Sequence, residues 1–336
     1  MKRNVIWLLV FVLLFSSFAT GCTSNKEESA KPQLKVAAVF PGSIQDADYN
    51  TLGFTALQHI GGKYSLETAY SEQVAVSDVE RVMKSYISQG YNLIWVHGNQ
   101  FNSAAMTLAD QNPDVIFVVE VDAKPDPVRP NVWYIDRNYY TGFYVLGALA
   151  GLATKTGKVG LIGGLEMPFI IGEINAAKQG LKDIGSTASF DYIYVGDFND
   201  PVKARQSAEV LISRGVDVIL SALNLGNYGL YDAVKEAKTK VYITTTYTDK
   251  KAQVPDNYLT SDLFNYNVVM DDVIQRVLNG EKSGYIKMEY GKEKARYTQF
   301  PISNVSEEIN TKIQNLANDV EAGKVQIIYN LNEVLP

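Results

Sequence analysis

KVGLIGGLEMPFIIGEINAAKQGLKDIGSTASFDYIYV, residues 158–195, reads as one strand–helix–strand unit. The run at 158–164 is apolar without interruption, a helix is expected near 171–184, and FDYIYV at 190–195 is again a strand. A strand without a polar face belongs in a parallel sheet that helices cover on both sides. The same alternation extends in both directions. Upstream lie LKVAAVF at 34–40, a helix near 50–61, a helix near 78–89, NLIWV at 92–96, a helix near 103–111 and DVIFVVEV at 114–121. Downstream lie a helix near 201–214, VDVILSA at 216–222, a helix near 227–239 and KVYITTT at 240–246. Gly90, Gly180, Gly185 and Gly215 fall just after predicted helices, where a left-handed C-cap is expected. From GKEKARYTQF at 291–300 onward, a strand, a helix and a last strand are expected to complete the second half.

The N-terminus differs in kind. Lys2 and Arg3 precede an uncharged apolar run from Val5 to Phe18, then small residues and Ala19-Thr20-Gly21-Cys22. This is the pattern of a secretory signal over residues 1–21, and a run of about 14 residues is too short to span a bilayer. The polar stretch that follows, within 22–33, reads as a flexible tether. Cys22 is the only cysteine, so no disulfide forms within one chain. The segment resembles a bacterial lipobox with Ala19 where Leu is usual. That resemblance implies cleavage before Cys22, a lipid on its sulfur, and a protein anchored to the outer face of the cell membrane. The other reading is an ordinary signal peptide with an incidental cysteine.

Without residues 1–21, about 315 residues remain, room for two domains of roughly 150 residues. Formal net charge is −6 with the signs interspersed, which leaves no basic face for nucleic acid, and no second apolar span follows. Tyr is abundant at 21 residues, and carbohydrates, nucleosides and other planar ligands favour aromatic walls.

Ligands of open parallel sheets bind beyond the carboxyl ends of the strands. The loops that matter are therefore 41–50, 97–102, 122–129, 165–170, 196–200, 223–228 and 245–250. The first, PGSIQDADYN, brings Asp46, Asp48, Tyr49 and Asn50 to a helix start. A short carboxylate or amide there caps backbone N–H groups equally well, but a cap does not account for Tyr49. The second offers His97, Asn99, Gln100 and Phe101; a lone loop histidine is commonly just hydrogen-bonded or solvated. GDFNDP at 196–201 presents Phe198, an aromatic in a polar turn, while Asp200 before Pro201 fits an N-cap. Asn224 falls in the 223–228 loop.

Together PGSIQDADYN, QGYNLIWVHG at 89–98, PDVIF at 113–117, PNV at 130–132, GALAGLATKTGKVGLIGG at 147–164, GDFNDP and RGVDVILSA at 214–222 resemble the basic membrane protein family. These are bacterial lipoproteins that serve ABC transporters as substrate-binding components. The resemblance runs from about residue 34 past residue 270. It implies a type I periplasmic-binding fold with a hinged cleft between two Rossmann-like lobes, and purine nucleosides as ligand class. On that fold, lobe 1 comprises 34–138 and about 250–290, and lobe 2 comprises 139–249 and about 291–336. It also implies that Tyr49 stacks on one face of a base and Phe198 on the other. The family's ribose-binding Asp falls at Tyr247 in TTTYTDK, with Asp249 two residues on. A family Lys corresponds to Leu263 or Phe264, and the Asp closing the third strand falls at Val121, with Asp122 one step along. Either Tyr247, Asp249 and Asp122 rebuild the polar contacts, or the ligand is not an ordinary ribonucleoside.

The expected ligand-binding set is thus Asp46, Tyr49, Asn50, His97, Asn99, Asp122, Phe198, Asn224, Tyr247 and Asp249. The expected partners are a small planar molecule, an ABC permease with its ATPase, and the membrane through the lipid; no cofactor, metal or nucleic acid is expected. A sensor or regulatory lipoprotein on the same fold is the alternative. An enzyme is disfavoured, because the chain has no G-x-S-x-G elbow and no H-E-x-x-H, and its two histidines are His59 and His97.

Overall fold

Strands and helices alternate through the computed structural model, which describes residues 33–336; the expectations for the signal segment, Cys22 and the tether up to residue 32 lie outside the described residues. The first series is β1 (Lys35–Val39), α1 (Tyr49–Tyr64), β2 (Glu67–Ser71), α2 (Val79–Ser88), β3 (Leu93–Val96), α3 (Asn102–Gln111), β4 (Ile116–Val121) and β5 (Val132–Asp136). The second is α4 (Tyr139–Ala153), β6 (Lys158–Gly163), α5 (Pro168–Asp183), β7 (Ser189–Tyr194), α6 (Pro201–Ser213), β8 (Val218–Ala222), α7 (Asn227–Glu236), β9 (Tyr242–Tyr247) and β10 (Tyr258–Phe264). The chain closes with α8 (Tyr266–Leu278), β11 (Gly284–Lys287), β12 (Arg296–Thr298) and α9 (Glu307–Glu321).

Two six-stranded sheets result, in the orders β11-β5-β4-β3-β1-β2 and β12-β10-β9-β8-β6-β7. The first is parallel throughout. The second is parallel except for β12, which runs against β10. The two-lobed α/β expectation is therefore met, with both faces of each sheet covered. In the first sheet Val36, Ala38, Trp95 and Val118 pack with Leu57 and Ile60 of α1 and Val273 of α8. Their neighbours Ala37, Val39, Ile94, Val96 and Val119 pack on the other face with Met83 of α2 and Leu108 of α3.

Three expectations are corrected. The return to the first sheet was expected at about 250, but β10 pairs with β9 from Tyr258 to Leu263, so the chain stays in the second sheet to Phe264. The crossing falls at Asn265, whose side chain caps α8. Gly180 caps nothing: it lies inside α5, where an added Cβ would stand 2.0 Å from the Tyr144 carbonyl oxygen of α4. No strand follows α9, because the tail spends its backbone groups on α5 side chains. Asn175 Nδ2 donates to the Asn330 and Glu333 carbonyls at 3.0 and 2.8 Å, and Gln179 Oε1 accepts from Ile328 N.

The chain passes between the sheets three times, after β5, after β10 and after β11. The passages are tied together. Met288 N donates to Asp136 O at 2.8 Å, and Asn265 N to Ala295 O at 2.7 Å. Asn138 Nδ2 donates to Met288 O at 2.9 Å. Fully buried Arg296 donates to Arg137 O at 3.0 Å and pairs with Asp262. Three bound passages of this kind make a hinge between lobes.

Candidate ligand-binding site

Where the strands of both sheets end, a cavity of about 330 Å³ opens between the lobes. It is lined by Pro41, Gly42, Tyr49 and Asn50 after β1, by Asn99 and Gln100 after β3, and by Arg137 and Tyr139 after β5. From the other lobe come Leu165, Met167 and Phe169 after β6, Phe198 and Asn199 after β7, Asn224 after β8 and Tyr247 at the end of β9. Six of the seven loops singled out in the sequence contribute; 122–129 does not.

Tyr49 begins α1 and is fixed from behind. Its ring stacks on the His97 imidazole with centroids 3.9 Å apart, and its Oη donates to Glu120 Oε2 at 2.5 Å. His97 Nε2 stands 2.8 Å from the Tyr49 carbonyl oxygen and Nδ1 2.6 Å from Glu120 Oε1. Burial alone would raise the Glu120 carboxyl, but the contacts from His97, Arg137 and Tyr49 outweigh it and hold the group below the usual range. Burial, reinforced by Glu120, pushes the Tyr49 hydroxyl far up, so it remains a donor. Arg137 carries the charge at this wall. Burial opposes its charge, yet Asp122, which takes its Nε and Nη2, holds it protonated. Its guanidinium lies 4.8 Å from the ring centroids of both Tyr139 and Phe169.

The opposite wall is mostly apolar. Phe198 stacks near Phe169, centroids 6.0 Å apart and planes 15° apart. It closes down on Gly164, where an added Cβ would stand 2.2 Å from Phe198 Cδ1. Tyr247 holds a left-handed φ of 75°, a costly conformation for a residue with a side chain, and its Oη lies 3.1 Å from Tyr139 Oη.

Polar contacts cross the cleft at its rim. Asn224 Nδ2 of the second lobe donates to Asp46 Oδ2 of the first at 3.1 Å. Buried Lys250 reaches Asp48 at 2.7 Å, and Thr248 Oγ1 donates to Asp48 and to Ala47 O. Burial lifts the Asp48 carboxyl to about 7 in spite of Lys250.

Of the ten residues expected from the sequence, Tyr49, Asn50, Asn99, Phe198, Asn224 and Tyr247 line the cavity. The structure places the other four elsewhere. His97 is fully buried behind Tyr49. Asp46 caps α1, accepting from Asn50 N and Thr51 N at 3.0 Å each. Asp122 is occupied by Arg137 and Asn99. Asp249 is exposed and accepts from Gln299 Nε2 at 2.6 Å and Lys251 N at 2.8 Å. Asp200 caps α6 as expected, accepting from Val202 N and Lys203 N. Arg137, Tyr139 and Phe169 were missed. VWYID before Arg137 has the β-branched and aromatic make-up of a strand, and reading it as one would have put Arg137 at a strand end.

Among the described residues no helix is long and apolar enough to cross a membrane. The model of a family described as "ABC transporter substrate-binding protein PnrA-like" matches residues 33–327. The CD4+ T-cell-stimulating antigen of Listeria innocua is 25% identical over 355 residues, covering 97% of this chain and 99% of its own. The ABC transporter nucleoside-binding protein BmpA of Lactococcus lactis is 23% identical over 97% of this chain and 99% of its own. Among solved structures, an ABC transporter solute-binding protein from Aeropyrum pernix superposes with a TM-score of 0.74 at 16% identity, over 89% of this chain and 94% of that one.

Proposed function

The chain belongs to the PnrA-like family of ABC transporter substrate-binding proteins, solute-binding proteins rather than enzymes, and on that premise we propose that it captures a purine nucleoside or a related small planar compound between Tyr49 and Phe198. The observation that carries this reading is the 330 Å³ cavity at the strand ends, with Tyr49 and Phe198 both in its wall. An aromatic wall contributes apolar contact and ring stacking, and the amides around it choose among ring edges. The rim contacts of Asp46, Asp48, Asn224 and Lys250 then hold the lobes closed over the ligand. The closed form is the one that a permease and its ATPase recognise. Capture takes place outside the cytoplasm, and a lipid on Cys22 keeps the protein at the membrane. The sequence around Cys22 supports that anchor, and its test is mass spectrometry of the N-terminal peptide, where the thioether-linked lipid must be found.

The ligand is tested by thermal unfolding against nucleosides, nucleobases and other aromatic metabolites. A ligand at a hundred times its Kd stabilises the native state by about 2.7 kcal/mol. A rise in Tm with one of these compounds, lost in Phe198→Ala, is expected; no rise with any of them would sink the reading.

A further inference from the structure

Resting on the reading of this cleft as a planar-ligand site, we propose that its ligand is an uncharged heteroaromatic base without a sugar, read at one edge through an N–H that Asn224 accepts.

The inference comes from accounting for charge around the cavity. A ribose presents neighbouring hydroxyl donors, and their strong acceptor is an ionised carboxylate. No Asp or Glu lines the cavity, and the carboxylates on its loops are already in use; Glu173, buried on α5 outside the lining, has its carboxyl pushed well above the usual range by burial and is no ionised acceptor. Asp46 takes six contacts: from Asp48 N, Thr51 N and Thr51 Oγ1 on Oδ1, and from Asn50 N, Asn50 Nδ2 and Asn224 Nδ2 on Oδ2. A carboxylate offers about four lone-pair sites, so nothing is left for a ligand. Asp48 is held by Lys250 and Thr248, and Glu120 by Tyr49 and His97. Asp122 is held by Arg137 and Asn99, and Asp249 is turned to Gln299 outside the cavity. The Tyr247 hydroxyl is engaged with Tyr139.

A phosphate fares no better. Arg137 is the charged residue of the wall, and it already faces Asp122 and, at 3.9 Å, Glu120. A cavity of about 330 Å³ is also at the lower end of the roughly 300–1,000 Å³ of small-molecule sites.

What the wall does offer is neutral amides: Asn50, Asn99, Gln100, Asn199 and Asn224. Asn50 is engaged at both ends of its amide, by Asp46 and Gly42, whereas Asn224 is held through its nitrogen alone. Its Nδ2 donates to Asp46 Oδ2 at 3.1 Å and to Asn199 Oδ1 at 3.0 Å. Turning the amide over would set its oxygen against the Asp46 carboxylate, which hydrogen bonds from Asn50, Asp48 and Thr51 keep ionised in spite of burial. Asn224 Oδ1 is therefore an acceptor, and it is buried without a donor. A ring N–H or exocyclic amine seated against Asn224 supplies one.

The test is calorimetric titration of the full-length chain in detergent with hypoxanthine and guanine, with inosine and guanosine, and with GMP. A base is expected to bind at least tenfold tighter than its nucleoside, and GMP not at all. A nucleoside that binds as tightly as its base, or measurable binding of GMP, overturns this inference and leaves the planar-ligand reading standing. Silence from every compound overturns this inference, and the planar-ligand reading falls with it when the wider panel of aromatic metabolites also leaves Tm unchanged. A second measurement isolates Asn224. Among singly N-methylated forms of the tighter base, at least one should bind tenfold or more weakly, and in Asn224→Ala that penalty should disappear. A penalty that persists unchanged in the variant removes Asn224 from the readout.

Discussion

The two walls of the cleft are built on different principles. On the first lobe, Tyr49 is backed by His97, tied to Glu120 and set beside the Arg137–Asp122 pair, so its position is determined by a buried polar network. On the second, Leu165 and Met167 stand on the loop before α5, Phe169 in the first turn of that helix and Phe198 on the loop after β7; Phe198 stacks near Phe169 and closes on Gly164, and Phe169 stacks in turn on Tyr139. A network of that kind fixes geometry because each unpaired buried member is expensive. Apolar side chains on loops fix contact area while tolerating small shifts. The first wall therefore sets where a ring lies, and the second sets how firmly it is held.

The comparison is broken most sharply at Glu120. Replacing it with Ala leaves the Tyr49 hydroxyl without its acceptor and deprives His97 and Arg137 of a carboxylate at full burial. Removal of one partner from a buried charged network costs about 3–5 kcal/mol. Chemical denaturation should show that loss, together with loss of ligand binding. An unaltered midpoint would mean that the network does not fix the first wall.

Phe198→Ala should act in the opposite sense, on affinity rather than stability. The ring is only partly buried, and a truncated aromatic anchor in a binding site typically costs about 2 kcal/mol or more. That corresponds to roughly thirtyfold in Kd. Denaturation should move little by comparison. If Phe198→Ala unfolds the protein as readily as Glu120→Ala does, the two walls are not distinct in kind.

The rim joins the walls and should answer to pH. Asp48 titrates near 7 in the closed structure against an ordinary 3.8, chiefly through burial, with Lys250 and Thr248 pulling it down and Asp46 pushing it further up. Between about pH 4 and 7 the closed form retains a proton that an exposed Asp48 has released. Raising pH through that window therefore weakens closure, and above about 7 the effect is complete. Ligand affinity should be several-fold higher at pH 5.5 than at 7.5, and Asp48→Asn should flatten the dependence. A pH-independent Kd in the unmodified chain would remove Asp48 from the closing step.

The two walls were also unequally legible in the sequence. Phe198 and Tyr49 stand out locally, one as an aromatic in a polar turn and the other as an aromatic beside capping residues, and both line the cavity. Loop positions followed from the strand–helix alternation alone, because the carboxyl ends of parallel strands must face one side. The polar network was not legible. Tyr49 and Glu120 are 71 residues apart, and which carboxylate pairs with which cation depends on strand order, which periodicity does not encode. That is why His97 and Asp122 read as ligand contacts although one backs Tyr49 and the other holds Arg137. Arg137 itself was lost with the strand that precedes it.

Tyr247 tests the boundary between the walls, since it comes from the second lobe and touches the first. Its ring centroid lies 5.6 Å from that of Tyr49, and its hydroxyl meets Tyr139, on the helix that begins just past the first crossing. Tyr247→Phe keeps the ring, its packing on Phe264 and the strained backbone, and deletes one hydroxyl. If that hydroxyl only joins Tyr139, stability should fall by about 0.5–1.5 kcal/mol, the net worth of one hydrogen bond, and Kd should change less than threefold. If the hydroxyl instead turns to a ligand, Kd should rise tenfold or more while the denaturation midpoint stays in place. Measured together on the same variant, the two quantities decide whether Tyr247 belongs with the fixed geometry of the first wall or with the contact surface of the second.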